Sequence, residues 1–148
     1  MSRVKVMMVV LILGLLPVHV LAGQIQWQPY AEGLRMAKAQ DKPVYLHFKA
    51  QWCSACTLFE RTAFENETVI DFLNTHFVAV KVDGDENPEL LKKYQVRGYP
   101  DSLFLDTYDN VVYRRPGAMA PEVFLFFLEY IQSGSYRTQS PMEYYRSR

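Results

Sequence analysis

The chain has 148 residues, 49% of them apolar and 14% aromatic, with 16 basic side chains balancing 16 acidic ones. That length and apolar content suit one ordinary domain with its own core and exclude global disorder. Zero net charge excludes a whole-chain field for nucleic acid or an anionic membrane surface, and two cysteines exclude a multi-disulfide scaffold.

Residues 1–22 are expected to be a secretory signal. Arg3 and Lys5 start it, Val6 to Leu16 form an uncharged apolar run, and Val20-Leu21-Ala22 supplies a small-residue cleavage pattern before Gly23. The run is about half the length needed to span a bilayer, which favours a cleaved segment over an anchor. Its removal takes away Arg3, Lys5 and His19. The remaining chain carries 14 basic and 16 acidic residues, a formal charge of −2, and is expected in an oxidising compartment.

In chain order, a short leading strand is expected near Ile25 to Trp27. Tyr30, Leu34 and Ala37 lie at helical spacing in 30–40, ended by Asp41-Lys42-Pro43. Val44 to Ala50 reads as a buried strand. Cys53 to Arg61 has a helix-compatible composition, and Asn66 is a good N-cap for a helix carrying Val69, Phe72 and Leu73 on one face. Phe77 to Asp83 is a second strand, and Asn87-Pro88 opens a helix through Tyr94. Ser102 to Leu105 and Val111 to Arg115 flank a turn and read as a hairpin, followed by a helix over 121–132 with Gly134 just beyond it. Ser140-Pro141-Met142-Glu143 has the pattern of a capping box. This order predicts an α/β fold: a mixed, mostly parallel central sheet with helices on both faces and a C-terminal hairpin plus helix. The expected domain spans residues 23–134, with 135–148 as a tail.

Both cysteines fall in Trp52-Cys53-Ser54-Ala55-Cys56, directly after a strand and at the start of a helix. Unpaired N–H groups and the positive end of the helix dipole favour a thiolate at Cys53, and Cys56 is one turn further on. A purely structural bridge across so small a loop gives only roughly 2 kcal/mol in the chain-entropy model. A zinc site from Cys53, Cys56, His47 and His76 lacks the second closely spaced ligand pair of a structural zinc motif. A redox dithiol is the stronger reading, with no metal and no cofactor.

The segment Ala50-Gln-Trp-Cys-Ser-Ala-Cys56 resembles the W-C-x-x-C site of thioredoxin-fold proteins. Val96-Arg-Gly-Tyr-Pro100 resembles the loop that holds that family's cis-proline, here 47 residues after Cys53. Lys42-Pro-Val, Val80-Lys-Val-Asp83 and Leu103-Phe-Leu-Asp106 extend the likeness over roughly residues 28–132. The stretch from Cys53 to Phe59-Glu60, followed by Thr62-Ala-Phe, is similar to exported thioredoxin-like proteins related to the periplasmic C-terminal domain of the transmembrane thiol:disulfide interchange reductase. The resemblance implies that Cys53 attacks a substrate disulfide and Cys56 resolves it, that Trp52 shapes the surface beside the sulfur, and that Pro100 presents the Tyr99 backbone to an incoming peptide. His47 stands where the family usually carries a buried aspartate; a neutral imidazole there either accepts a proton or simply fills the core. Asp101 stands where threonine commonly follows the cis-proline and is expected to point outward into solvent.

Ser54-Ala55 places no cation between the cysteines, which leans toward a reductant. The implied partners are protein disulfides or thiols and a membrane thiol-electron donor, without nucleic acid, and the protein is expected to be a monomer. Asn66-Glu67-Thr68 matches a glycosylation sequon, a triplet common by chance, and the missing Lys-Asp-Glu-Leu-type ending favours a bacterial periplasm. A thiol oxidase or isomerase of the same fold stays open. So does a non-catalytic module that holds a partner through the Pro100 groove and the Tyr/Arg tail.

Overall fold

Val44–Lys49, rich in β-branched and aromatic residues, forms the central strand of a five-stranded sheet and is buried along nearly its whole length. The computed structural model describes residues 23–148; the expected signal, with its Ala22 cleavage point and His19, lies outside the described residues. The elements are β1 (Trp27–Gln28), α1 (Tyr30–Gln40), β2 (Val44–Lys49), α2 (Ser54–Ala63), α3 (Glu67–His76), β3 (Val78–Asp83), α4 (Pro88–Tyr94), β4 (Asp101–Leu105), β5 (Val111–Pro116), α5 (Pro121–Gln132) and α6 (Pro141–Arg146), with a 3-10 turn at Ser135–Arg137.

Strand order is β1-β3-β2-β4-β5. The sheet is mixed as expected, with four strands running one way and β4 reversed, which divides its pairings evenly. β1–β3 and β2–β3 are parallel, whereas β2–β4 and β4–β5 are antiparallel. The reason is that α4 and the loop after it return the chain to the end of the sheet where β2 stops. β4 therefore begins with Asp101 opposite Phe48 and runs back to Leu105 opposite Val44.

Strand alternation splits the core. Leu46, Phe48, Val80, Val82, Leu103 and Leu105 pack toward α1 and α4. Tyr45, Phe104, Phe59, Leu73, Phe124 and Leu128 pack on the face covered by α2, α3 and α5. Local chemistry sets the helix ends. Asn66 accepts from the Val69 N–H at 3.1 Å, and Asp41 and Gln95 close α1 and α4 in the left-handed conformation. Asn87 does not cap α4 with its side chain; its Nδ2 donates to the Asp83 carbonyl at 2.8 Å. α2 begins one residue later than expected, because Cys53 is the cap and not the first helical residue. The tail is ordered through a full capping box at Ser140 and Glu143, and Tyr144 packs on Phe126 and Tyr130 with ring centroids 5.7 and 5.4 Å away.

α1 lies against the sheet at Gly33, where a Cβ would come within 2.3 Å of Val80 Cγ2. Helix propensity alone would reward alanine there by about 1 kcal/mol. Overpacking a buried, β-branched strand residue costs about 1–3 kcal/mol, so the clash should win. Gly33→Ala is expected to lower the urea unfolding free energy by about 1–2 kcal/mol; an equally stable or more stable variant would show that α1 slides freely on β3.

Candidate active site

β2 delivers the chain to Ala50, whose carbonyl accepts from the Cys53 N–H at 3.2 Å. Cys53 is the N-cap of α2, and its Sγ accepts from the Cys56 N–H at 3.1 Å. The two cysteines are joined as a disulfide with Cα atoms 5.3 Å apart. Cys53 is 6% exposed and Cys56 1%, so Cys53 is the sulfur that an incoming group meets first. The first turn of α2 contains no acidic residue, so nothing there offsets the dipole and N–H groups that favour a Cys53 thiolate once the bond is reduced.

The register of β4 on β2 brings the second half of the site to the same place. The Tyr99–Pro100 peptide bond is cis and Pro100 is buried. Tyr99 packs on the Ala50, Cys53 and Cys56 cluster and meets Trp52 edge to face, with centroids 5.8 Å apart. Trp52 is 72% exposed, yet its Nε1 donates to Asp85 Oδ2 at 2.8 Å, which fixes the ring beside the sulfurs. Gly84 is a site residue that the sequence reading did not single out. A Cβ there would fall 2.0 Å from the Tyr99 hydroxyl oxygen and within 3 Å of its nearest ring carbons, so a side chain at 84 would displace the Tyr99 ring from this position. Burial, then Asp85 and Asp83, push the Tyr99 hydroxyl pKa up, so it stays protonated.

Trp52, Cys53, Cys56, Tyr99 and Pro100 thus share one rim, whereas His47 lies inside the core. Its ring packs edge-on against Phe59 and Phe64. Nδ1 is 3.4 Å from the Tyr45 hydroxyl, which sits 2.9 Å from Ser102 Oγ, and Nε2 is 3.8 Å from Glu60 Oε1. Lys81 Nζ stands 3.1 Å from the same carboxylate oxygen and 4.5 Å from the Trp27 ring centroid. Burial, followed by the charges of Lys81 and Lys49, pushes the His47 pKa down to about 3. Glu60 is a carboxylate that the motif contained without a role being assigned to it. Its spacing of seven from Cys53 and four from Cys56 places all three along one side of α2, a signal that helical periodicity contains.

Comparison with known proteins agrees with this geometry. The family model Thioredox_DsbH, described as a protein of unknown function (DUF255), matches residues 17–107, more than half of the chain. The chain belongs to the Thioredox_DsbH family. It is 30% identical over 97 residues to the disulfide bond reductase DsbH of Chlamydia pneumoniae, covering 57% of this chain and 58% of that protein. It is 40% identical over 80 residues to the thiol:disulfide interchange protein DsbD of Yersinia pestis, covering 52% of this chain and 13% of that one. A solved thioredoxin from Thermus thermophilus superposes with a TM-score of 0.68 at 28% identity, covering 73% of this chain and 87% of the other. The chain therefore spans less than two thirds of either relative found by sequence. Fold and family together make it a thioredoxin-fold protein of the Thioredox_DsbH family, with its two cysteines joined at the N-terminus of α2.

Within this Thioredox_DsbH domain Asp101 departs from expectation. It is buried, 4% exposed, not solvated. β4 is flanked on both edges by β2 and β5, and Arg114 on β5 holds its Nε 3.4 Å from Asp101 Oδ2. Burial raises the carboxyl pKa against the opposing pull of Arg114 and the Ser102 N–H.

The depressed His47 pKa has a sign that stability measurements can read. Between about 3 and 6.5 the unfolded chain binds the imidazole proton and the folded one does not, so stability falls as pH drops through that window. The slope approaches about 1.4 kcal/mol per pH unit. Asp101, with its raised pKa, acts in the opposite direction, and a comparison of wild type with His47→Gln cancels that shared contribution. Urea titrations at successive pH values should show wild type losing stability relative to His47→Gln on acidification. Parallel pH profiles would mean that His47 titrates normally in the fold.

Proposed function

We propose that this chain is an exported thiol-disulfide oxidoreductase that reduces protein disulfides through Cys53 and Cys56. The observation that supports it best is the Cys53–Cys56 pair at the N-terminus of α2, facing a cis-proline loop. In the reduced enzyme the Cys53 thiolate attacks one sulfur of a substrate disulfide. The Cys53–substrate bond forms, the substrate S–S bond breaks, and one substrate thiolate leaves. Cys56 then attacks Cys53 Sγ with loss of its proton to solvent. The enzyme disulfide re-forms and the second substrate thiolate departs, so two electrons have passed to the substrate. Trp52 and Tyr99 supply the apolar walls beside the reacting sulfur, and the peptide groups around Pro100 pair with the substrate backbone. His47, neutral at pH 7, is assigned a packing part instead of that of proton acceptor. The thioredoxin-like domain is taken as residues 23–134, acting as a monomer.

The reductive direction is supported by the uncharged Ser54-Ala55 pair between the cysteines and by the printed name of the Chlamydia relative. Reduction in a periplasm needs a supply of electrons, and a membrane thiol-electron transporter is the proposed donor.

Cys53→Ser should abolish insulin reduction, whereas Cys56→Ser should accumulate covalent mixed disulfides with substrate proteins, seen as dithiothreitol-sensitive adducts on gels. Retained turnover in both variants would remove this reading. Equilibration with glutathione should give a potential nearer about −270 mV than about −120 mV; the latter value would assign an oxidant instead.

A further inference from the structure

Beside Pro100 lies a groove of about 430 Å³ that the exchange of sulfur bonds does not itself use. One wall is the α4–β4 loop with Gln95, Arg97 and Gly98, and the other is the end of β5 with Arg114 and Gly117. Two cations, Arg97 and Arg114, line it against one carboxylate, Asp101, so one positive charge is left over. Asp101 and Arg114 are occupied with each other, and Arg114 also donates to the Tyr94 carbonyl. Arg97 is exposed and has no ion-pair or side-chain hydrogen-bond partner among the described residues.

Gly98 adds an independent observation. A Cβ there would meet nothing within 4 Å, and its φ is not in the left-handed region, so neither packing nor backbone conformation calls for glycine. What the missing side chain does is leave the groove open to the close approach of another backbone. Across the Tyr99 ridge the charge reverses. Asp83, Asp85 and Glu86 occupy the β3–α4 turn, where Asp85 holds the Trp52 indole.

We propose that this groove is a carboxylate subsite: it takes an aspartate or glutamate side chain flanking the attacked cysteine of the substrate, with Arg97 as its partner. The inference rests on the disulfide exchange proposed above and adds the substrate's charge pattern to it. A guanidinium pairs with a carboxylate through two parallel N–H donors, which specifies geometry as well as charge. The acidic turn on the other side of Tyr99 repels the same carboxylate if the peptide lies in the reverse direction, so the two rims together select one orientation.

The test uses a set of peptide disulfides that differ only in carrying Glu, Gln or Lys at successive positions around the cysteine. Reduction rates are measured alongside NMR titration of the Gly98 and Gly117 amides, the latter with peptides whose cysteine is replaced by serine. At one flanking position wild type should prefer Glu over Lys by about threefold to tenfold, and high salt should shrink the ratio. Arg97→Glu should invert the preference and Arg97→Lys should keep its sign. Equal rates and equal titrations for Glu and Lys peptides would overturn the subsite, as would a preference that Arg97→Glu leaves unaltered. Loss of exchange with every peptide, while the Gly98 titration still favours Glu, would remove the reductase reading and keep the subsite.

Discussion

Phe48 stands opposite Asp101 in the antiparallel pairing of β2 with β4, and the site depends on that register. β2 runs on through Ala50 into the cap of α2, while β4 is preceded by Tyr99 and Pro100. With those two residues paired, the disulfide and the cis-proline loop meet at one end of the sheet although they lie far apart in the chain. Slipping the pairing by one residue would turn Asp101 and Ser102 to the opposite faces and carry Tyr99 off the sulfurs. The rigidity of this arrangement comes from the sheet's burial on both faces. Tyr45, Phe48 and Phe104 are fully buried, so the strands have no alternative arrangement that keeps the apolar surface covered.

The same register explains the charges below and beside the dithiol. His47 faces Lys81 on β3 and Ser102 on β4, which places an imidazole between an ammonium and a hydroxyl in one row across three strands. Glu60 approaches that row from α2, so a buried neutral ring, a carboxylate and two lysines share one region of the protein. Placing a positive charge at His47 in that setting means desolvating it beside Lys81 and Lys49, which is why the imidazole remains neutral. On the other side of Pro100 the Asp101–Arg114 pair is a second partly buried ion pair. Together with exposed Arg97 it gives the groove a polarity opposite to that of the Asp83–Glu86 turn.

Local signals were legible wherever one stretch of chain contains all the physics. The bounds of α1 and α5, the Asn66 cap, the Ser140 capping box and the cysteine pair opening α2 follow from spacing, cap chemistry and the strand-to-helix transition. Resemblance to thioredoxin-fold proteins pointed to the loop at Tyr99-Pro100. The misreadings have a common cause. Asp101 reads as a surface acid because a lone carboxylate is usually solvated, and its burial comes from packing with distant segments, opposite Phe48 on β2 and beside Arg114 on β5. Gly84 carries no local mark, since its φ is ordinary and it is Tyr99, fifteen residues on, that a side chain would displace.

By itself, then, the sequence determined the element order, the α/β class and a closely spaced cysteine pair placed at a helix N-terminus. Those depend on neighbours within a turn or a strand. Tertiary structure alone decided that the sheet divides evenly between parallel and antiparallel pairs, that His47 is enclosed by Tyr45, Glu60 and Lys81, and that Arg97 borders an open groove beside Pro100. Each of these is a contact between segments distant in the chain. Strand register fixes such contacts, and register is selected by burial of the whole sheet, not by any local pattern.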